Sequence, residues 1–207
     1  IETFIKPITG RIELTRSVRL LSARPFLAST PSLFAQITCD PNTYKQALVI
    51  TSISSERRKY IPIRFITGKI VANNKLHVMK DAGLFHFAIL TSQMHMAWVR
   101  TVAGRLKSDY NYSKDIVYNN FVWPEVSDDQ KTEIEKLAQT ILDARAEFPD
   151  SSLADLYDPL TMPSTLTKAH TTLDKAVDRL YRKEPFASDT DRVALLFEKY
   201  QDNISNA

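Results

Sequence analysis

Residues Gly104 to Ser113 read GRLKSDYNYS, and within them Lys107, Asp109 and Asn111 occupy every second position. A cation, a carboxylate and an amide in that order supply a donor, an acceptor and a group that does both. In an extended segment, alternation sends these three to one face and Tyr110 and Tyr112 to the other, so the polar set points outward while the rings pack inward. Such a set matches the edges of base pairs. Lysine donates to O6 and N7 of guanine, a carboxylate accepts from the cytosine amino group, and asparagine satisfies adenine at N7 and N6. Lys107 and Asp109 can therefore take the two partners of one G·C pair. The competing arrangement is a surface ion pair between them, which contributes little.

Cations surround this stretch. Arg57, Arg58 and Lys59 form a basic loop tip between two strand-like segments, Arg100 and Arg105 flank the start of the ten-residue stretch, and Lys114 follows it. A bare cation on a phosphate adds affinity without sequence preference, so these six are candidate phosphate-binding residues. A solvated turn is the plainer reading of the Arg57–Lys59 cluster taken alone.

Catalytic constellations are missing from the sequence. With four glycines in 207 residues there is no glycine-rich phosphate loop, dinucleotide fingerprint or methyl-donor loop. No Asn-Pro-Pro-aromatic motif is present to hold a target base, and no G-x-S-x-G elbow supports a serine nucleophile. The single cysteine, Cys39, has no partner for an internal disulfide, and His77, His86, His95 and His170 fall at no zinc-binding spacing. His86 and His95 lie nine positions apart in an apolar segment and read as core or boundary histidines.

The elements that must position these residues follow from periodicity. YKQALVITSIS, YIPIRFIT and KIVANNKLHVM, between Tyr44 and Met79, are rich in Val, Ile, Thr and Tyr and predict two or three sheet strands. In the second, Ile61, Ile63 and Phe65 alternate with Pro62 and Arg64, which places the proline at an edge and Arg64 outward. Leu84 to Gly104 is apolar on nearly every side and predicts one long buried helix, 84–104, ended by Gly104 in a left-handed turn. DIVYNNFVWP predicts a further strand closed by Pro124. Beyond it Ser127 and Gln130 form a capping box ahead of Ile134, Leu137, Ile141 and Phe148. Leu166, Ala169, Leu173, Val177 and Leu180 make a second helical stripe, and Ser188 with Asp191 caps a third helix carrying Val193, Leu196, Phe197 and Tyr200. The fold class is mixed α/β (α+β), with a domain over residues 1–124 and a helical subdomain over 125–207.

Charge divides at the same place. Residues 1–124 hold 17 Lys and Arg against 7 Asp and Glu, and residues 125–207 hold 10 against 17, so a basic half at +10 precedes an acidic half at −7. The first half suits a phosphate-bearing partner and the second does not. Chance segregation between two domains is the alternative. At 43% hydrophobic and 25% charged, with no apolar run of bilayer length and no signal-like start, the chain reads as a cytoplasmic globular protein. A start at Ile1 rather than methionine is expected of a segment cut from a longer protein.

LTSQMHMAWVRTVAGRLKSDYNYSKDIVYNNFVWPE, Leu90 to Glu125, resembles the target recognition domain of the MmeI-like, type IIL DNA restriction-modification enzymes. LADLYDPLTMPSTLTKAHTTLDKAVDRLY, Leu153 to Tyr181, resembles the carboxy-terminal helical segment of the same family. The resemblance covers a little over half of the chain. It implies a parent protein that is an adenine N6 methyltransferase fused to a nuclease, using S-adenosylmethionine and, for cleavage, a divalent metal, both bound by upstream modules. This chain would then be the non-catalytic reader of double-stranded DNA. In that family the alternating positions after a Gly-Arg pair set which bases are accepted, which maps onto Lys107, Asp109 and Asn111. A second set in the earlier strand region falls near Asn73, Asn74 and Lys75. The rival reading is a protein-interaction module, in which the acidic helices dock a partner subunit and the basic half complements an acidic surface.

Overall fold

The computed structural model describes residues 14–16, 45–67, 72–73 and 75–205. Cys39 and Asn74 lie outside the described residues.

Among the described residues, five strands precede the helices: β1 (Leu14–Arg16), β2 (Gln46–Thr51), β3 (Ile53–Ser54), β4 (Ile63–Thr67) and β5 (Leu76–Lys80). β1, β5, β2 and β4 form an antiparallel sheet in that order. β2 is central, and its run of apolar residues is buried on both faces: Leu48 and Ile50 enter the main core, while Ala47 and Val49 meet Ile66, Ala72 and Val78 in a smaller cluster on the opposite side. β4 lies at the edge, where Pro62 costs no ladder hydrogen bond, and Arg64 is exposed as its alternation predicts.

The apolar segment after β5 is two helices, not one. α1 (Leu84–Leu90) stops at Thr91, and α2 (Gln93–Val102) starts anew from Ser92. The Ser92 side chain accepts from the backbone N–H of His95 at 3.3 Å and donates to the carbonyl of Ile89 at 2.7 Å, so it serves both helix ends at once. A carboxylate from far along the chain completes the break, because Asp174 accepts from the Gln93 N–H at 2.7 Å. Gly104 does not end α2 in a left-handed turn. Ala103 caps α2 in extended conformation, and Gly104 opens the next strand, β6 (Gly104–Leu106), which pairs antiparallel with β7 (Asp109–Asn111).

DIVYNNFVWP is likewise not a strand. Ser113 caps a wide helical turn of π type, Lys114–Tyr118, whose loosened carbonyls need partners. Asn120 donates to the carbonyls of Asp115 and Ile116 at 2.9 and 3.0 Å, and the buried indole of Trp98 donates to that of Val117 at 2.9 Å.

The remainder is helical: α3 (Asp128–Ala146), α4 (Leu153–Leu156), α5 (Ser164–Tyr181) and α6 (Asp189–Ser205). The Ser127/Gln130 capping box forms, with Ser127 accepting from the Gln130 N–H at 3.3 Å and the Gln130 side chain accepting from that of Ser127 at 2.9 Å. Ser188 accepts from the Asp191 N–H at 3.2 Å at the start of α6. The main core does not stop at residue 124. One buried cluster runs from Leu48 and Ile50 through Trp98 and Tyr118 to Ile141, Leu173 and Leu196.

Polar groups bind the two halves as well. Tyr60 donates to Asp174 at 2.6 Å, its ring stacks on His170 at 4.0 Å between centroids, and His170 meets the Tyr157 hydroxyl at 2.7 Å. Arg145, on α3, donates to the carbonyl of Ile63 at 2.7 Å and to the Tyr157 hydroxyl. Burial lifts the Asp174 carboxyl to about 6 despite the hydrogen bonds from Tyr60 and Gln93, and holds the His170 imidazole well below its ordinary range.

Candidate nucleic-acid interface

β6 and β7 make a hairpin with a two-residue loop, Lys107 and Ser108, and Leu106 pairs with Asp109 across it. Lys107 is therefore at the tip, in the turn, rather than in an extended run with Asp109 and Asn111. Its φ is 57°, while Ser108 stays at negative φ, the sign pattern of a type II′ loop in which glycine is the favoured first residue. Along β7 the alternation holds: Tyr110 and Tyr112 are buried, Asn111 is exposed and Asp109 half-exposed.

Opposed residues share a face in an antiparallel pair. The outer face thus carries Asp109 with Leu106, and Asn111 with Gly104 on one side and Ile53 of β3 on the other. The inner face carries Tyr110 with Arg105 and Ser54. Arg105 lies 4.1 Å over the Tyr110 ring, donates to the Ser108 carbonyl at 3.0 Å and meets Glu56 at 3.4 Å. It braces the loop from behind.

The side chains of Lys107, Asp109 and Asn111 make no hydrogen bond or ion pair with any described residue. The Lys107–Asp109 ion pair is not formed. β3 reaches only Tyr110 and Asn111, so among the described residues the hairpin beyond them is a two-stranded ribbon.

Behind the hairpin sits a node that the sequence gives no hint of. The Tyr112 N–H donates to the carbonyl of Ser52 at 2.7 Å, and the Ser52 N–H donates to that of Lys75 at 2.8 Å. His77 donates from Nε2 to the Tyr112 carbonyl at 2.9 Å, with the Ser52 hydroxyl 3.3 Å from the same nitrogen. The Tyr112 hydroxyl meets Nε2 of His95 at 3.1 Å, and burial drives the His95 imidazole down to about 3, so it is neutral. Through Ser52 the turn at Asn73 and Lys75 is hydrogen-bonded to the strand that carries Asp109 and Asn111. Two segments some thirty residues apart in sequence are thereby linked. Asn73 and Lys75 are both exposed, and the Asn73 side-chain oxygen accepts from the Lys75 N–H at 3.0 Å, which fixes the turn.

The six cations divide. Arg100 donates to Asp189 at 2.8 Å and to the Lys59 carbonyl at 2.9 Å, and so ties the loop before β4 to α6. Arg105 pairs with Glu56, and Lys114 with Asp115 at 2.7 Å. Arg57 and Lys59 are exposed and Arg58 half-buried, and none of the three has an ion-pair partner among the described residues. No group of three or more His, Cys, Asp or Glu is placed to hold a metal ion among the described residues, and no described helix is long and apolar enough to cross a membrane.

Comparison with known proteins points the same way. The model of the MmeI target recognition domain matches residues 2–125, and that of the MmeI C-terminal domain matches residues 126–206. DNA methyltransferase A of Bacillus subtilis (strain 168) is 44% identical over 176 residues, which is 85% of this chain and 20% of that protein. The solved structure of the type IIL restriction-modification enzyme MmeI in complex with DNA superposes with a TM-score of 0.75 at 44% identity, covering 78% of this chain and 22% of the enzyme. The chain spans about a fifth of the length of these relatives. Sequence and overall superposition agree, and the chain belongs to the MmeI family, as its target recognition domain followed by its C-terminal domain.

Proposed function

We propose that this chain is the sequence-reading part of a longer, cytoplasmic DNA adenine N6-methyltransferase and restriction enzyme, and that it reads duplex DNA through the major groove. The methyl donor S-adenosylmethionine and the divalent metal for cleavage would be held elsewhere in that protein. The observation that carries the reading is a set of side chains on the hairpin without partners among the described residues: Lys107, Asp109 and Asn111 keep their hydrogen-bonding capacity on a ribbon anchored by Tyr112. A two-stranded ribbon fits the B-DNA major groove, which is about 12 Å wide.

Lys107 and Asp109 take the guanine and cytosine of one pair, Asn111 takes adenine, and Asn73, Asn74 and Lys75 form the second reading set. Arg57, Arg58 and Lys59 meet phosphate. Arg105 and Lys114 join them only by releasing Glu56 and Asp115, and Arg100 acts chiefly in holding the basic loop to α6. Each well-made base contact adds about 1–3 kcal/mol of discrimination.

The test is to map methylated adenines genome-wide with the full-length protein, then repeat with Lys107 and Asp109 exchanged for other polar residues. A recognition motif altered at a single base pair supports the assignment. An unchanged motif overturns it, and a protein that treats all duplexes alike is an interaction module instead.

A further inference from the structure

Two large apolar side chains stand in solvent on the same face as the polar readers: Leu106 is 57% exposed and Ile53 36%. Register fixes their neighbours, because Leu106 is directly opposite Asp109 and Ile53 directly opposite Asn111. Gly104, two residues before Leu106 on the same strand and face, has no side chain to cover it. An exposed leucine is ordinary by itself. Its place is what matters here, next to Lys107 at the end of the hairpin where β3 no longer reaches. The major groove presents donors, acceptors and one apolar feature, the 5-methyl group of thymine.

We propose that Leu106 is a specificity-determining residue that packs against the 5-methyl group of a thymine one step from the G·C pair whose cytosine amino group donates to Asp109. The inference rests on the proposed insertion of the hairpin into the major groove. Directly opposed side chains have Cβ atoms about 4.5–5.5 Å apart, and successive bases rise about 3.4 Å per step, so Leu106 reaches the step adjacent to the one that Asp109 reads. A buried methyl group is worth about fourfold in transition-state binding.

The experiment measures methyl transfer by the full-length protein on duplexes in which each thymine of the recognition sequence is replaced singly by deoxyuridine. This removes one methyl group and leaves every hydrogen-bonding group. The expected result is a fall of about fourfold in kcat/KM at one thymine, beside the pair whose identity changes in Asp109 variants. Leu106→Ala should abolish the dependence on that methyl group, and Leu106→Met, which keeps an apolar tip, should retain it. A recognition sequence with no thymine at those positions overturns the proposal, as does an equal loss in the Leu106→Ala protein. Altered base preference in Asp109 variants without coupling to Leu106 sinks this inference alone, whereas unaltered preference sinks the reading on which it rests.

Discussion

Replacing Lys107 with glycine separates what the hairpin needs to fold from what it needs to read. Lys107 sits at φ 57° in a two-residue loop and its side chain touches no partner among the described residues. An L-residue held in this region costs about 1–2 kcal/mol, which glycine avoids. Glycine gives the unfolded chain more freedom, which takes back about 0.4–1 kcal/mol. The balance leaves Lys107→Gly more stable by about 0.5–1 kcal/mol, and at about 2–4 °C per kcal/mol for a chain of this size the midpoint rises by about 1–4 °C. Loss of a lysine–guanine contact should meanwhile remove about 1–3 kcal/mol of discrimination at one base pair. Thermal unfolding of the 207-residue chain, together with methylation by the full-length protein of duplexes varied at that pair, gives both quantities. Stability and specificity moving in opposite directions would identify a strained residue kept for its contact. A lowered midpoint would refute the reasoning about strain and show that the lysine side chain supports the loop, and undiminished discrimination at every pair would refute the lysine–guanine contact.

Three further outcomes are expected. Tyr112→Phe removes the hydroxyl that meets the buried His95, so denaturant unfolding should show a loss of about 1–3 kcal/mol, and an unchanged midpoint would mean that the bond is not a support of the hairpin. Arg145→Ala strips a donor from the Ile63 carbonyl and the Tyr157 hydroxyl and a guanidinium from over the Phe87 ring; it should cost about 2–4 kcal/mol, with Arg145→Lys recovering only part because an ammonium cannot span both oxygens. Asp174 should make stability fall as pH rises from the ordinary aspartate value of 3.8 toward about 6, since the folded protein holds a proton there that the unfolded chain has released. His95 and His170, pushed down by burial, contribute with the opposite sign and cancel in the difference between wild type and Asp174→Asn. Denaturation across that interval should show the variant gaining on the wild type as pH increases, and parallel curves would contradict the assignment.

Local rules account for much that was legible in the sequence. The capping box before α3 and the stripes of α5 and α6 depend on residues three or four apart, and the strands β2, β4 and β5 on alternation or unbroken apolar runs. The inward tyrosines and outward Asp109 and Asn111 follow from the same period of two. Features that depend on distant partners were not legible. The break at Ser92 depends on the Asp174 carboxylate supplied by α5, which accepts from the Gln93 N–H. The π turn at Lys114–Tyr118 owes its carbonyl partners to Trp98 and Asn120 rather than to its own composition.

The sequence by itself determined the types of side chain available for reading, their spacing, the basic character of the half that bears them, and the family. Only the tertiary structure decided that Lys107 stands at a strained hairpin tip, that Arg100 and Arg105 are already engaged by Asp189 and Glu56, and that Leu106 shares the face of Asp109. It also decided that Ser52 joins the Asn73–Lys75 turn to Tyr112. The reason is physical. Periodicity reports which face of an element a residue occupies, whereas strand register and buried hydrogen bonds are settled between segments whose sequence separation carries no periodic signal.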